Sequence, residues 1–251
     1  MLGGRNGAAR AGGPAAGRPG GNCVLDALDP ADAALLRPRL EAMELMAGTI
    51  LGRTGAAMPW VIFPGAPAVI ALVAVDHGGR TAEAISIGAE GVVGDDLTEL
   101  PGFGHIQVQI SGPAWRIEAA ALAGLAEASP GLRALLVLHA KTLLVRTLQA
   151  AVCAALHAVE ARASRWLLTA QDHVGQPDLP VTQELMAEML GVRRTTVTRV
   201  IAQLSGKRLI RHRRGRVTVT DRGGLEQAAC GCHAALLQRL RHMAPALYGA
   251  E

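Results

Sequence analysis

Aromatic side chains and cysteines are scarce in this sequence. Phenylalanine, tryptophan and tyrosine make up 2% of the 251 residues, although half of all residues are hydrophobic, so alanine, leucine and valine must fill the core. The four cysteines, at positions 23, 153, 230 and 232, form no evident disulfide framework. A reducing cytoplasm is therefore the expected location, and the length suits two modest domains.

The signatures of several other protein classes are also missing. No run of 18 apolar residues is free of charge, so we expect neither a membrane-spanning helix nor a membrane partner. The N-terminus lacks the apolar segment of a secretory signal. The phosphate-binding patterns GxGxxG and GxxxxGK do not occur. Asp95, Asp96 and Glu99 are adjacent acids without a ligand set or an acid–base partner, so the sequence predicts that the protein is not an enzyme.

Residues 181–220 carry the strongest positive signal. Thr182 is a good helix N-cap, and Gly191 is suited to end that helix because glycine adopts positive φ without strain. A second helix, about Arg194 to Leu204, is expected to bury one apolar face and expose arginine and threonine on the other. Small residues and apolar residues follow the spacing of a helix-turn-helix.

A basic hairpin follows this motif. Residues 209–219 read as two short strands around Gly215, which is typical of a wing. Between positions 193 and 222 there are ten Lys or Arg residues and one acid, Asp221. Residues 1–161 carry 11 basic and 14 acidic groups, whereas residues 162–251 carry 14 basic and 7 acidic groups. This asymmetry indicates DNA binding by the C-terminal domain, although a basic membrane-surface domain and a protein-contact module are alternatives.

Residues 162–232, especially LPVTQELMAEMLGVRRTTVTRVIAQL and LIRHRRGRVTVTDRGGLEQAAC, resemble the C-terminal domain of Crp/Fnr-type transcription regulators. The resemblance implies a homodimer that binds double-stranded DNA, and it leaves open an RNA-polymerase contact. In such regulators an Arg, a Glu and an Arg of the recognition helix reach bases, and Arg194, Thr195 and Arg199 occupy these positions here. The predicted DNA-binding residues are Arg193, Arg194, Thr195, Thr198, Arg199, Arg211, Arg213, Arg214, Arg216 and Thr182.

The N-terminal half is predicted to be rich in short strands. Helical pieces are expected from Leu25 to Met46, divided by prolines, and a hairpin turn at Asp76–Gly79. The expected strands are 49–51, 60–63, 68–75, 81–87, 105–110 and 114–117. The predicted fold class is α+β, with an N-terminal antiparallel, jelly-roll-like β-roll, a long central dimerisation helix and a C-terminal winged helix-turn-helix.

The stretch ISIGAEGVVGDD resembles the loop near the effector pocket of the same family. This indicates a pocket at Gly88, Glu90 and Gly91 for an unknown small-molecule effector. The nucleotide-binding members place an Arg shortly after a Gly-Glu pair, but no Arg lies between Arg80 and Arg116. We therefore expect no cyclic-nucleotide ligand, because the phosphate would lack a counter-charge. A β-roll that only contacts protein is an equal alternative.

No cofactor is predicted. An iron–sulfur cubane needs about four thiolates, and only Cys23 and Cys153 precede the DNA-binding domain. Haem ligation by His77 or His105 remains an alternative to surface or turn positions. Cys230, Cys232 and His233 are expected on one final helix from Arg222 to about Met243. Residues i and i+2 face different sides of a helix, so no metal site is predicted there.

A long helix is predicted to start at Ser129-Pro130 and to run to about Glu160. Its apolar residues recur at heptad spacing, which favours a helix–helix dimer over packing along the β-roll. The predicted dimer interface comprises Leu135, Leu138, Thr142, Val145, Gln149, Val152, Leu156 and Val159. Cys153 lies beside this seam, where burial as a small apolar residue is expected rather than redox switching. The predicted domains are a disordered tail (1–22), a β-roll sensor domain (23–128), a dimerisation helix (129–161) and a winged helix-turn-helix domain (162–243).

Overall fold

The computed structural model describes residues 21–94 and 104–249. Almost all of the tail for which the sequence predicts disorder therefore lies outside the described residues, as do Asp95, Asp96 and Glu99. The described chain comprises an antiparallel β-roll, two long helices and a helical C-terminal domain with its own small sheet. The predicted fold class is confirmed.

The β-roll consists of two antiparallel sheets, in strand orders β1-β7-β3 and β2-β6-β4-β5. Side chains from both sheets meet in one apolar cluster, which includes Leu45, Ile62 and Ile70. All six strands expected from the sequence are present, within two residues at each end. The strands are β1 Glu41–Leu45, β2 Ile50–Gly52, β3 Trp60–Pro64, β4 Val69–Val75, β5 Thr81–Ile87, β6 His105–Ile110 and β7 Gly112–Glu118.

The turn predicted between β4 and β5 is confirmed by its hydrogen bonds. The Asp76 carboxylate accepts from the backbone N–H groups of Gly78 and Arg80, both at 2.8 Å, and pairs with the Arg80 side chain at 2.7 Å. The Arg80 backbone and side chain lower the pKa of Asp76. Gly79 takes a φ of 75°, and His77 is exposed in this turn.

The segment before the roll is only partly helical, contrary to the expectation of helix up to Met46. It contains two short helices and a 3₁₀ turn: α1 Cys23–Asp26, α2 Pro30–Leu36 and Arg37–Arg39. The following residues form β1 instead of helix, because they pair with β7 along their whole length, from Glu41 opposite Arg116 onward. Tertiary pairing here outweighs the intrinsic helix propensity of Glu-Ala-Met-Glu-Leu.

Three helices link the roll to the C-terminal domain: α3 Ala119–Ala128, α4 Pro130–Leu156 and α5 Val159–Val174. The Ser129 side chain accepts from the Leu132 N–H, so the predicted start of the long helix is confirmed. The prediction that this helix continues to Glu160 is wrong, because His157 is extended and a new helix begins at Val159. Neither His157 nor Ala158 is a helix breaker. The residues on either side of this break pack into different clusters. Cys153 packs with two other cysteines, whereas Val159 packs against the C-terminal core.

The C-terminal domain contains a helix-turn-helix and a three-stranded sheet. Its elements are β8 Asp178–Leu179, α6 Gln183–Leu190, α7 Arg194–Gly206, β9 Ile210–Arg213, β10 Arg216–Val219, α8 Arg222–Ala228, α9 Cys232–Met243 and α10 Pro245–Tyr248. Strand β8 lies in the segment before the helix-turn-helix and pairs with β10. The expectation of one final helix is corrected, because that helix is divided at residues 229–231. Gly231 is the local signal of that division, since glycine is unfavourable inside a helix.

The C-terminal domain packs directly against the β-roll. One apolar cluster combines β-roll residues such as Val69 and Val73 with most of the buried side chains of α5, α6 and α7. At its edge, the Glu83 carboxylate accepts from Trp166 Nε1 and from Gln109 Nε2, each at 2.8 Å. The helix-turn-helix is thereby held against one sheet.

Helix α4 is the one helix of the described ranges, 21–94 and 104–249, that is long and apolar enough to cross a membrane. Lys141 and Arg146 interrupt its apolar run, so it does not contain the charge-free run of 18 residues that the sequence lacks. The inner face of the helix, however, carries buried His139, Thr142 and Arg146, which contact the rest of the chain. These contacts fit a helix packed on a folded domain.

Candidate nucleic-acid interface

The helix-turn-helix is formed by α6, a tight turn and α7. The Thr182 hydroxyl accepts from the Leu185 N–H at 3.1 Å, so it caps α6 as predicted. Gly191 adopts a φ of 65° and ends the helix. A Cβ at Gly191 would lie 3.2 Å from the Ala82 Cβ of strand β5, so the turn also lies close to the β-roll.

Helix α7 has one buried face and one exposed face. Val197, Val200, Ile201 and Leu204 are buried in the C-terminal core. The opposite face displays every α7 residue that the sequence predicts to contact DNA, and all are exposed: Arg193 at the N-cap, then Arg194, Thr195, Thr198 and Arg199. No side-chain hydrogen bond caps the first turn of α7 within the described part of the chain.

Ion pairs and hydrogen bonds hold some of these side chains in the free protein. Arg194 pairs with Glu184 at 2.7 Å, and Arg199 lies 3.6 Å from Glu160. The Thr198 hydroxyl lies 2.8 Å from Gln183 Oε1, which links α7 to the start of α6. Gln183 and Glu184 were missed as parts of this surface, because a sequence does not show which α6 residues face α7.

The wing is a strongly basic hairpin of β9 and β10. Its turn contains Arg214 and Gly215, and Gly215 takes a φ of 73°. The arginines expected to contact DNA are all exposed: Arg211, Arg213, Arg214 and Arg216. Arg216 lies 3.8 Å from Asp178 of strand β8.

A cleft of about 580 Å³ lies between the helix-turn-helix and the wing. It is lined by the starts of α6 and α7 and by the tip of the hairpin, including Thr182, Arg194 and Arg214. His212 also lines it, although the sequence analysis did not single out this residue. The structure therefore brings residues from all three predicted elements to one surface.

The predicted dimer seam on α4 is corrected in its register. Thr142 is fully buried, and Leu135 and Leu138 pack on the core of their own chain. Gln149 donates to Cys232 Sγ at 3.2 Å, and Val159 belongs to α5. Val145 is half-buried. Only Val152 and Leu156 of the predicted set are exposed, at 47% and 74%.

An exposed apolar stripe lies one residue earlier on the same helix. At heptad spacing it comprises Ala134, Val137, Leu144, Leu148, Ala151 and Ala155, interrupted by Lys141 at the remaining heptad position, and all seven residues are exposed. Each precedes one of the predicted seam residues, from Leu135 to Leu156. A shift of one residue rotates the face by about 100°, because an α-helix has 3.6 residues per turn. Leu144 and Leu148 remain 59% and 58% exposed. Of the predicted seam residues, Leu135, Leu138 and Thr142 face their own chain and are not free to contact a second copy.

The predicted effector pocket is occupied by the chain's own side chains. Glu90 pairs with Arg146 of α4 at 2.8 Å and with His173 of α5 at 3.3 Å. A Cβ at Gly88 would lie 2.9 Å from Glu90 Oε2, and one at Gly91 would lie 2.7 Å from His139 Cε1. The three predicted residues are thus together, but they are closely packed.

Burial and charge perturb the ionisation of this group. Burial opposes ionisation of Glu90, but the nearby His173 and Arg146 outweigh it and hold the pKa of that carboxyl well below its usual range. Burial lowers the pKa of His139 to about 4, so this imidazole is neutral near pH 7. Tyr248, whose hydroxyl lies 3.3 Å from the Arg146 guanidinium, has its pKa raised by burial. Arg146, His173 and Tyr248 were missed because they are remote in sequence from Glu90.

The expectation that Cys230 and Cys232 lie on one helix with His233 is wrong. Cys230 precedes α9, and both cysteines are buried next to Cys153. His233 instead pairs with Asp172 at 2.7 Å. Because Cys230 and Cys232 do not lie on one helix, helix geometry does not keep their sulfur atoms apart and does not exclude a metal site there.

Residues 161–228 match the Crp-like helix-turn-helix domain. A comparison with curated proteins found no match. Among solved structures, the chain is similar to FixK2 from Bradyrhizobium japonicum, with a TM-score of 0.66 and 12% identity over 76% of this chain and 98% of that one. The chain is also similar to a Crp/Fnr-family transcriptional regulator from Thermus thermophilus, with a TM-score of 0.62 and 21% identity. This match covers 75% of this chain and 98% of that chain.

A third similar structure is the c-di-GMP-responsive global regulator CLP from Xanthomonas campestris. It gives a TM-score of 0.61 and 18% identity, and the match covers 76% of this chain and 99% of that chain. At these identities the likeness establishes the fold. The described chain thus combines a Crp-like helix-turn-helix domain with the β-roll architecture of these structures.

Proposed function

We propose that this chain, a protein with the Crp/Fnr fold and a Crp-like helix-turn-helix domain, is a homodimeric transcription regulator that binds a palindromic DNA site. The observation that carries the proposal is the coincidence of basic charge with two DNA-contact elements. Arg194 of α7 and Arg214 of the wing line the same cleft, and the other arginines of both elements are exposed. A solvated basic face would not require this coincidence.

Base reading is assigned to the exposed face of α7. Arg194 and Arg199 can each bond bidentately to O6 and N7 of a guanine in the major groove. Thr195 stands where the resembling regulators have Glu, and it lacks the carboxylate that accepts from cytosine N4, although its methyl can contact a thymine. The DNA site of this chain should have guanine at the two positions that face Arg194 and Arg199. At the position between them, which faces Thr195, its base should differ from that in the sites of the resembling regulators.

Phosphate contacts are assigned to the N-terminal ends of the helices and to the wing. Arg193 is the N-cap of α7 and Thr182 is the N-cap of α6. Helix N-termini favour anions such as phosphate. The Thr182 hydroxyl accepts from Leu185 and still has its own hydrogen to donate. Arg211, Arg213, Arg214 and Arg216 contribute charge without sequence information.

The ion pairs of the free protein do not oppose this assignment. The side chains of Arg194 and Glu184 are 66% and 61% exposed, and those of Arg199 and Glu160 are 63% and 40% exposed. Surface pairs of this kind contribute at most about 1 kcal/mol each. Both arginines can therefore exchange a carboxylate for a DNA contact at small cost.

Dimerisation is assigned to the exposed stripe on α4. Leu144 and Leu148 lie at its centre, and Val137 extends it toward the β-roll end. A second copy of α4 packed along this stripe would remove these side chains from water, which favours association. The two-fold axis of such a dimer would present two copies of α7 to two half-sites.

The β-roll is proposed to act without a cyclic nucleotide. The loop that contains Glu90 has no arginine that could bind a cyclic phosphate, but Arg146 of α4 lies beside Glu90. That guanidinium is already paired and donates to the Ser86 carbonyl and toward the Tyr248 hydroxyl. A cyclic phosphate would have to displace a buried carboxylate from it. Cytoplasmic location, an RNA-polymerase contact and any other effector remain expectations from the resemblance.

Selection of binding sites from random DNA tests the proposal directly. The wild-type chain should enrich an inverted repeat with guanine in each half-site. Arg199→Ala should cost about 1–3 kcal/mol and relax one base position in each half-site. Arg214→Ala, the matched wing variant, should weaken binding of all sequences alike and leave the motif intact. A motif that changes with Arg214→Ala but not with Arg199→Ala would show that α7 is not the reading helix.

A further inference from the structure

Three cysteines and one histidine meet where α4 ends and α8 is joined to α9. Cys153 lies in the last turn of α4, and His157 is the C-cap residue, whose N–H donates to the Cys153 carbonyl at 3.1 Å. Cys230 lies in the short segment between α8 and α9, and Cys232 is the first residue of α9. The three sulfur atoms and one imidazole nitrogen all lie within 4.8 Å of one another.

Two distances within this cluster are close to the edges of a tetrahedral metal site. Cys153 Sγ and Cys230 Sγ are 3.4 Å apart, and Cys232 Sγ lies 3.6 Å from His157 Nδ1. Ligand bonds of 2.3 Å for sulfur and 2.0–2.1 Å for nitrogen around Zn²⁺ give edges of about 3.8 Å for S···S and about 3.6 Å for S···N. Only small side-chain movements separate the observed cluster from such a site.

The surroundings also suit a bound cation. All three cysteines are buried, and His157 is half-buried. Gln149 Nε2 donates to Cys232 Sγ at 3.2 Å, an outer contact that orients a thiolate ligand. Cys23 is elsewhere, on the β-roll core, with its N–H bonded to the Ala89 carbonyl.

We propose that Cys153, His157, Cys230 and Cys232 bind one thiophilic divalent cation, with Zn²⁺ as the ion that the ligand set fits best. Three thiolates and one imidazole complete four-coordination and leave no open position, so the site is structural. Each thiol loses its proton to solvent when the ion binds. The ion joins the last turn of α4 to the α8–α9 junction.

Cobalt provides the probe, since Co²⁺ in a tetrahedral thiolate site absorbs in the visible and near-ultraviolet. The full chain, reduced and freed of metal under anaerobic conditions, is titrated with Co²⁺. We expect tetrahedral bands that saturate at one Co²⁺ per chain and that Zn²⁺ abolishes. Addition of Zn²⁺ should also raise the midpoint of thermal unfolding, because the ion binds only the folded site.

Variants identify the ligands. Cys232→Ser and Cys153→Ser should each weaken Co²⁺ binding at least about tenfold, since even outer contacts of metal sites have effects of this size. The matched control Cys23→Ser should bind as the wild type does. His157→Cys should keep one ion per chain and intensify the sulfur-to-cobalt charge-transfer band, which a variant that only perturbs folding would not do.

Several results would overturn the proposal. One is the absence of tetrahedral Co²⁺ bands in the reduced wild-type chain. Another is binding that Cys232→Ser leaves unchanged. A Cys153–Cys230 disulfide in the isolated chain, with no Co²⁺ uptake after reduction, would assign the pair to redox chemistry and would also contradict the proposal.

Discussion

The buried ion pair between Glu90 and Arg146 provides the sharpest test of how the β-roll is joined to α4. The side chains of Glu90 and Arg146 are only 12% and 7% exposed, and the two charges lie 2.8 Å apart. Glu90→Gln removes the negative charge and keeps the shape. The Arg146 guanidinium then retains the Ser86 carbonyl and the Tyr248 hydroxyl but has no carboxylate partner.

Removing one partner of a buried ion pair costs about 3–5 kcal/mol, because the remaining charge is desolvated without compensation. This is a large part of the roughly 5–15 kcal/mol by which a typical domain is stable. The double variant Glu90→Gln with Arg146→Met should recover much of the loss, since it removes the uncompensated charge as well.

Urea unfolding followed by circular dichroism, at equal protein concentration, measures these free energies. Glu41→Gln is the matched control, because its pair with Arg116 is exposed, at 35% for Arg116 and 55% for Glu41. That substitution should cost no more than about 1 kcal/mol. Equal losses of unfolding free energy for Glu90→Gln and Glu41→Gln would refute the reasoning. A double variant whose loss exceeds the sum of the losses of the two single variants would refute it as well.

Three further predictions follow from the same structure. The pKa of His139 in the folded chain is about 4, below the ordinary 6.5. Neutral His139 therefore contributes fully to the free energy of unfolding above pH 6.5, and about 3 kcal/mol of that contribution is lost as the pH falls toward 4. A His139→Leu chain should lack this part of the pH dependence of unfolding. Leu148→Asp should give a monomer in sedimentation, whereas Ala154→Asp, exposed on the same helix but off the stripe, should stay dimeric. Cyclic AMP or cyclic GMP at millimolar concentration should give no saturable heat in calorimetry, and a micromolar dissociation constant would contradict the self-filled pocket.

Local patterns in the sequence predicted the strands and the helix-turn-helix well. Turn residues such as Asp76 and Gly79 mark the ends of apolar runs, and Thr182 and Gly191 have the side-chain chemistry that begins and ends a helix. Strand β1 escaped prediction because its residues favour a helix in isolation, and only pairing with β7 makes them a strand.

Long-range contacts explain the remaining differences. The heptad pattern of α4 fits two faces one residue apart, and only the packed β-roll shows that Thr142 faces inward while Leu148 faces outward. Arg146, which pairs with Glu90, and Cys230, which lies beside Cys153, are each more than 50 residues away along the chain from these partners. The spacing of residues in the sequence does not reveal such distant pairs. The pair of Cys153 and Cys230 was harder still to foresee, because the sequence predicted one continuous helix through residues 229–231.

The central claim is that α7 and the wing bind DNA sequence-specifically. The most direct test is the affinity of the full chain for its selected site and for a scrambled duplex of equal length, measured by fluorescence anisotropy over a range of salt concentrations. We predict binding of the selected site at least about 10³-fold tighter. Affinity should fall steeply with salt, and Arg214→Ala should reduce the logarithmic salt slope by about 1. Equal affinity for both duplexes, or affinity that does not change with salt, would contradict the account.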